Sequence, residues 1–324
     1  MNSQLPVLDI RNLSKRFNAD AGFFAREGKF VYAVNDVSFC IERGKTYALV
    51  GESGCGKTTT ARLLIQMYRQ DSGKILYSDG LSEERMEISS MSKKNLRSYR
   101  EKVKYIFQDP ARSLNPRMNV LDILTAPLKY SSFNMTKGEM YAAAEKIICE
   151  TGLDPDTLMR RPAEFSGGQR QRISIARGLI MNPELLICDE IVSALDVSIQ
   201  AQILDLLLSV RAERKLSLLF ITHDLKIASY FCDKIGVMFR GILVEEAPAK
   251  TLYKTQAHPY TKLLFEGASK RLSNSSVEIK SAQEKESGCP FAYRCPHAAS
   301  RCRNELPHFK TVADGHKVRC FADL

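Results

Sequence analysis

The stretch Gly51-Glu52-Ser53-Gly54-Cys55-Gly56-Lys57-Thr58 constrains what this chain can fold into more than any other segment. Glycines at both ends of such a loop let consecutive backbone N–H groups turn inward onto phosphate oxygens. The lysine then neutralises negative charge, and the threonine hydroxyl serves a magnesium ion. A loop of this kind needs a strand before it and, after it, a helix N-terminus whose dipole favours anions. Both flanks comply: Thr46-Tyr47-Ala48-Leu49-Val50 reads as a buried strand, and Thr58 to Tyr68 carries helical apolar spacing. Gly51, Ser53, Gly54, Cys55, Gly56, Lys57, Thr58 and Thr59 are thus candidate contacts for a nucleotide's phosphates, with Thr58 also a candidate Mg²⁺ ligand.

The rest of the chain reads as an α/β protein built around that loop. From Pro6 to Ile41 short alternating runs predict antiparallel strands, separated by a polar, Gly-containing insertion from Asn18 to Lys29. Between about Ser92 and Met181 the pattern turns helical. Its clearest segments are Val120 to Ala126, stopped by Pro127, then Lys137 to Thr151 and Gly168 to Ile180. Apolar strands return at 184–188 and 217–221 with an amphipathic helix, roughly Ser198 to Ala212, between them, which implies a parallel sheet. Val237 to Val244 reads as a hairpin, Arg271 to Ser287 as a polar linker, and a cysteine-rich tail follows.

Composition narrows the setting. No apolar run approaches the roughly 18 residues needed to cross a bilayer, and Met1 to Asp9 lacks the basic stretch and apolar core of a secretory signal. The expectation is a cytoplasmic chain, in which nine cysteines are thiols or metal ligands rather than disulfides. A net charge of +10 is compatible with nucleic acid or an anionic membrane surface. The basic residues are scattered and lack an accompanying aromatic motif, so the reading is a basic solvated exterior and no nucleic-acid partner.

A metal-nucleotide site needs carboxylates at the end of a buried strand. Leu185-Leu186-Ile187-Cys188-Asp189-Glu190 supplies them: Asp189 to hold Mg²⁺ through water, and Glu190 to poise the hydrolytic water as general base. Phe165-Ser166-Gly167-Gly168-Gln169, at a helix start, is a second array of a hydroxyl and glycine N–H groups suited to a phosphate. Around these lie Gln108 in Phe107-Gln108-Asp109-Pro110, Asp196 in Ser193-Ala194-Leu195-Asp196, and His223 in Ile221-Thr222-His223-Asp224. In this order the set resembles the ABC ATPase family.

That resemblance implies a RecA-like phosphate-loop core with an inserted helical subdomain and an N-terminal antiparallel sheet. It also implies ATP and Mg²⁺ as ligands and ATP hydrolysis as the reaction. By it, Ser166, Gly167, Gly168 and Gln169 contact the ATP of an opposing subunit. Gln108 senses Mg²⁺ and the membrane subunit, Asp196 lies in the loop linking two ATP sites, and His223 contacts the γ-phosphate. An aromatic of the N-terminal strands stacks on adenine in this family; Phe17 matches best, with Tyr32 its competitor. One departure is Ile191, where the family has proline after the catalytic glutamate; this removes a φ constraint but no catalytic group.

Within the family the chain resembles the peptide/nickel importer branch, second ATPase subunit type. The segments that carry this are Ala33 to Phe39, Ser113-Leu114-Asn115-Pro116-Arg117, Val192 to Ser198 and His258-Pro259-Tyr260-Thr261. The branch implies a heterodimer with a second ATPase subunit on the cytoplasmic face, two transmembrane permease subunits and an extracytoplasmic solute-binding protein. Residues 1–250 are the expected ATP-binding domain, with its helical subdomain at about 92–181. Residues 251–287 form a linker and extension, and 288–324 a small cysteine-rich domain. Cys289, Cys295, Cys302 and Cys320 lack the short paired spacing of structural zinc. The branch associates a comparable tail with a 4Fe–4S cluster, so a cluster is the expectation, with zinc or metal-free packing as alternatives.

Overall fold

The computed structural model describes residues 5–18, 30–81, 84–267 and 288–322. The insertion after Asn18 and the polar linker 271–287 fall outside these. The described chain divides into two compact units, one within residues 5–7, 43–45 and 90–219, the other within 8–42, 46–89 and 220–324.

The unit containing the phosphate loop has two sheets. In the first, strands Leu8–Asn18 and Phe30–Ile41 pair antiparallel from Leu8↔Ile41 to Asn18↔Phe30, as their alternation predicts. Leu8, Ile10, Val37, Phe39 and Ile41 form a buried face of period two. Ser72–Tyr77 and then Met86–Glu87 extend this sheet on the other side. In the second sheet, Thr46–Val50 lies parallel to Lys234–Phe239, and all five of its residues are buried, as parallel strands covered on both faces require. Lys234–Phe239 turns back into Ile242–Pro248 through Arg240 and Gly241, with φ of 42° and 83°, the positive-φ pair of a two-residue hairpin.

The tail joins this second sheet. His316–Val318 pairs antiparallel with Ile242–Pro248, and Lys310–Ala313 pairs with His316–Val318 at the edge. A buried carboxylate stitches the junction: Glu245 accepts hydrogen bonds from the N–H groups of Ala257 (2.7 Å) and His258 (2.9 Å) and meets His316 Nε2 at 2.7 Å.

The other unit holds most of the helices. Lys137–Glu150 begins with a complete capping box between Thr136 and Glu139. Val120–Lys129 runs through Pro127 instead of stopping at Ala126, because Ile123, Leu124 and Leu128 continue one buried apolar face past the missing N–H. A strand, Val103–Ile106, sits inside the stretch whose pattern reads as helical; it pairs parallel with Leu185–Asp189, from Val103↔Leu185 to Ile106↔Cys188. Among the described residues no helix is long and apolar enough to cross a membrane.

Candidate functional site

The phosphate loop leaves strand Thr46–Val50 at Gly51 and enters helix Lys57–Leu64 at Lys57. Its glycines are required by space and by backbone angle. A Cβ at Gly51 would stand 2.1 Å from the Met238 carbonyl oxygen, and one at Gly56 would stand 2.0 Å from that of Ala33. Gly54 and Gly56 have φ of 79° and 108°. Lys57 is buried, and its ammonium is held by the loop itself: Nζ donates to the carbonyls of Gly51 (2.7 Å) and Glu52 (3.0 Å). A preset cation at a helix N-terminus inside a glycine cradle fits the triphosphate of a nucleotide. Cys55 lies beneath, its thiol pushed up by burial and so kept protonated.

The carboxylate site belongs to the other unit. Strand Leu185–Asp189 is buried throughout and delivers Asp189 at its end, where the Tyr105 hydroxyl donates to the carboxylate. Glu190 follows at φ 49°, a left-handed conformation that turns it off the strand line. Gln108 Nε2 donates to its carboxylate at 2.9 Å, so these two candidate site residues are brought together. Ile191 is buried at 2 % exposure. Isoleucine there leaves residue 190 free of the restriction that a following proline imposes. Buried Asp189 fits a hydrated cation, since an anionic oxygen donor suits Mg²⁺.

Ser166 caps helix Gly167–Leu179. Its hydroxyl accepts from the Gln169 N–H (3.3 Å), and its own N–H donates to Gln169 Oε1 (2.9 Å). Asp196 precedes helix Val197–Arg214 and is exposed, as is Val197 at 81 %. His223 is exposed at the end of strand Ser217–Thr222, and the next residue, Asp224, caps the following helix through the N–H groups of Lys226 and Ile227. Phe17 is 37 % exposed, edge-on to Tyr68 with centroids 5.4 Å apart. Tyr32 sits opposite Arg16 on the paired strand.

Comparison with known proteins agrees with this geometry. Residues 34–193 match the ABC transporter family, and residues 244–302 match the oligopeptide/dipeptide transporter C-terminal region. The chain is 40 % identical to the oligopeptide transport ATP-binding protein AppF of Bacillus subtilis, over 98 % of each chain. It belongs to the ABC transporter family, as an ATP-binding protein. To the probable peptide ABC transporter ATP-binding protein y4tS of Sinorhizobium fredii the ABC protein is 39 % identical, over 97 % of its length and 89 % of the relative's. Its fold matches the ATP-binding cassette MJ0796, solved as a dimer with ADP and Pi, at a TM-score of 0.65 and 24 % identity over 75 % of this chain and 99 % of that one. It also matches cbiO1 of Clostridium perfringens, part of the ABC transporter complex cbiONQ, at 0.64 and 25 % over 77 % and 91 %. The ABC ATPase cassette, with its phosphate loop and N-terminal antiparallel sheet, is thereby shown, and ATPase activity belongs to it.

The tail of this ABC protein corrects the iron–sulfur expectation. Cys289, Cys295, Cys302 and Cys320 line a common, largely apolar cavity with His258, Phe291 and Phe321. Burial, with the neighbouring thiols, pushes the Cys289 thiol up to about 11. Among the described residues no group of three or more His, Cys, Asp or Glu side chains is placed to hold a metal ion, and the description of the AppF relative names none. The four cysteines stand as free thiols.

Three functional neighbours escape a reading of the motifs. Tyr105 holds Asp189. Tyr260 and Arg294 reach the phosphate loop at Glu52. Of these, only Tyr260 lies in a segment that carries the resemblance, and nothing in the spacing of His258-Pro259-Tyr260-Thr261 says what its hydroxyl touches.

Proposed function

We propose that this chain is the ATP-hydrolysing subunit of an importer of oligopeptides or dipeptides. It works at the cytoplasmic face of the membrane beneath two permease subunits fed by an external solute-binding protein. The observation that carries this reading is the 40 % identity, across 98 % of both chains, to an oligopeptide transport ATP-binding protein. The same reading divides the chain into a cassette at 1–250, a connecting extension at 251–287 and a small appended domain at 288–324. It pairs the chain with a second, nonidentical ATPase subunit.

In this proposal the loop Gly51–Thr59, without Glu52, grips the triphosphate, Lys57 neutralises its β and γ oxygens, and Phe17 stacks on adenine. Thr58, Gln108 and Asp189 would hold Mg²⁺, which when bound supplies charge neutralisation on the phosphate oxygens. Glu190 accepts the proton of the attacking water, with Gln108 orienting its carboxylate, and His223 donates to the γ-phosphate. Ser166, Gly167, Gly168 and Gln169 complete the partner's ATP site rather than this chain's own, and exposed Asp196 and Val197 lie at the seam between subunits. Closure around ATP and reopening after hydrolysis are the motions passed to the permeases.

The test is reconstitution of the complete transporter in vesicles. Hydrolysis should rise when peptide-loaded binding protein is added and disappear in Glu190→Gln. Stimulation by a nickel chelate and not by peptide would move the substrate assignment, and hydrolysis indifferent to the permeases would remove the transport reading.

A further inference from the structure

The cassette's phosphate loop is held from outside by the C-terminal region, and the contact converges on one peptide plane. The peptide between Gly51 and Glu52 presents its carbonyl oxygen, that of Gly51, to Lys57 Nζ at 2.7 Å. It presents its N–H, that of Glu52, to the Tyr260 hydroxyl at 2.9 Å. Tyr260 and Lys57 therefore grip opposite ends of the same group. A hydrogen bond accepted at one end polarises the peptide and strengthens the bond at the other. The tilt of this peptide sets where the ammonium of Lys57 rests.

Tyr260 has little freedom to give. Its side chain is fully buried, with Phe239 at 4.5 Å and Phe291 at 5.5 Å between ring centroids. Its own N–H donates to Nδ1 of buried His258 at 3.1 Å, and the His258 N–H is fixed by Glu245. Arg294, from the cysteine-rich segment, adds a second grip: both terminal nitrogens pair with the Glu52 carboxylate, at 3.1 and 3.2 Å. Its guanidinium lies 5.6 Å from the centre of Phe291 and 5.9 Å from that of Phe239, so the fork is aimed by aromatic faces as well as by charge.

We infer that Tyr260 and Arg294 are positioning residues for ATP binding: they hold Glu52, and through it the Gly51–Glu52 peptide, so that Lys57 is preset for phosphate. The inference rests on the proposed binding of ATP at this loop. It assigns the C-terminal region a task at the nucleotide site that requires no metal. It also explains why a loop position open to many residue types carries a carboxylate here.

The experiment uses the full-length chain for equilibrium titration with Mg·ATP, and the reconstituted transporter for steady-state hydrolysis. Tyr260→Phe keeps the ring and removes only the acceptor; it should weaken ATP binding roughly three- to ten-fold, the range expected for one part-buried hydrogen bond. In the transporter this should appear mainly as a raised KM with a smaller change in kcat, because Glu190, Gln108 and His223 are untouched and only the resting position of Lys57 has shifted. Arg294→Met should weaken binding about two- to five-fold, and Arg294→Lys, which keeps the cation without the fork, should fall between Met and wild type. The decisive comparison is Arg294→Met in a Glu52→Gln background, where its effect should vanish. Wild-type affinity in Tyr260→Phe, or an Arg294→Met effect undiminished in the Glu52→Gln background, would overturn the inference. Absence of ATP binding by the wild-type chain would instead remove the function on which it rests. A general loss of structure would lower kcat and the melting temperature along with affinity, a pattern that also counts against positioning.

Discussion

Two loops of this molecule place glycines at a helix N-terminus, and they are built in opposite ways. The loop at 51–56 is distorted and self-contained: Gly54 and Gly56 take positive φ, backbone carbonyls crowd Gly51 and Gly56, and the loop's own carbonyls hold Lys57. The loop at 166–168 is regular. Gly167 and Gly168 are the first residues of an ordinary helix, and Ser166 caps it through a reciprocal box with Gln169. The first loop carries its own countercharge and can receive a phosphate unaided. The second offers a hydroxyl and a helix N-terminus without a lysine of its own, and its proposed task is to complete another subunit's site.

The largest expected effect sharpens this contrast by showing that neither loop performs the chemistry. Glu190→Gln keeps an oxygen to accept the Gln108 Nε2–H bond, so the geometry at 2.9 Å survives while the base is lost. Hydrolysis by the reconstituted transporter should fall roughly 10²- to 10⁴-fold, with ATP binding by the isolated chain unchanged. A variant that still turns over at near wild-type rate would displace Glu190 as the base.

Next come the glycines themselves. Gly56→Ala meets the Ala33 carbonyl at 2.0 Å with φ at 108°, and should cost about 2–4 kcal/mol in stability and abolish ATP binding. Gly167→Ala has no neighbour nearer than Leu195 Cδ2 at 3.9 Å and replaces glycine inside a helix, so its melting temperature should hold or rise slightly. The isolated chain should still bind ATP, while hydrolysis by the paired subunits drops. Equal losses of binding in the two variants would break the contrast.

Much of this was legible in the residues. Glycine spacing announced the phosphate loop because a cradle of N–H groups leaves few other solutions, and strand alternation gave the antiparallel sheet because one face of it is buried. What escaped was long-range or overridden by packing. Val103–Ile106 is a four-residue strand whose partner lies some eighty positions away, so it carries no local period to read. Pro127 was outvoted by the buried face around it. The left-handed turn at Glu190 and the Tyr260 and Arg294 contacts to Glu52 follow from tertiary placement alone. The tail's cysteines were the opposite case: a suggestive count in the sequence, and among the described residues no group placed to hold a metal ion.

The phosphate loop should also respond to pH in a way the second loop does not. Burial lowers His258 to about 4. Above about 6.5, its ordinary value, the residue is neutral folded or unfolded and costs nothing; as pH falls below that, the unfolded chain takes up a proton that the folded chain refuses. Stability should therefore decline between about 6.5 and 4, by roughly 3 kcal/mol at the low end, and the melting curve of His258→Gln should lack that portion of the decline. Because Nδ1 of His258 accepts the Tyr260 N–H, ATP affinity should hold across that interval and fall only as pH approaches about 4, where the folded imidazole takes up its proton. A pH slope identical in the variant would acquit His258.

The smallest effect separates the two tasks of Ser166. As an N-cap its loss in Ser166→Ala should cost about 1 kcal/mol, read as a modest drop in melting temperature. Ser166→Asp restores the cap, since aspartate accepts the Gln169 N–H as well as serine does. It also places a negative charge where a partner's phosphate would approach. If Ser166 serves that phosphate, Asp should recover stability and leave hydrolysis by the assembled pair low, while ATP binding by the isolated chain is untouched. Should Asp recover hydrolysis together with stability, the serine is a cap and nothing more, and the two loops differ in geometry without dividing one nucleotide site between two subunits.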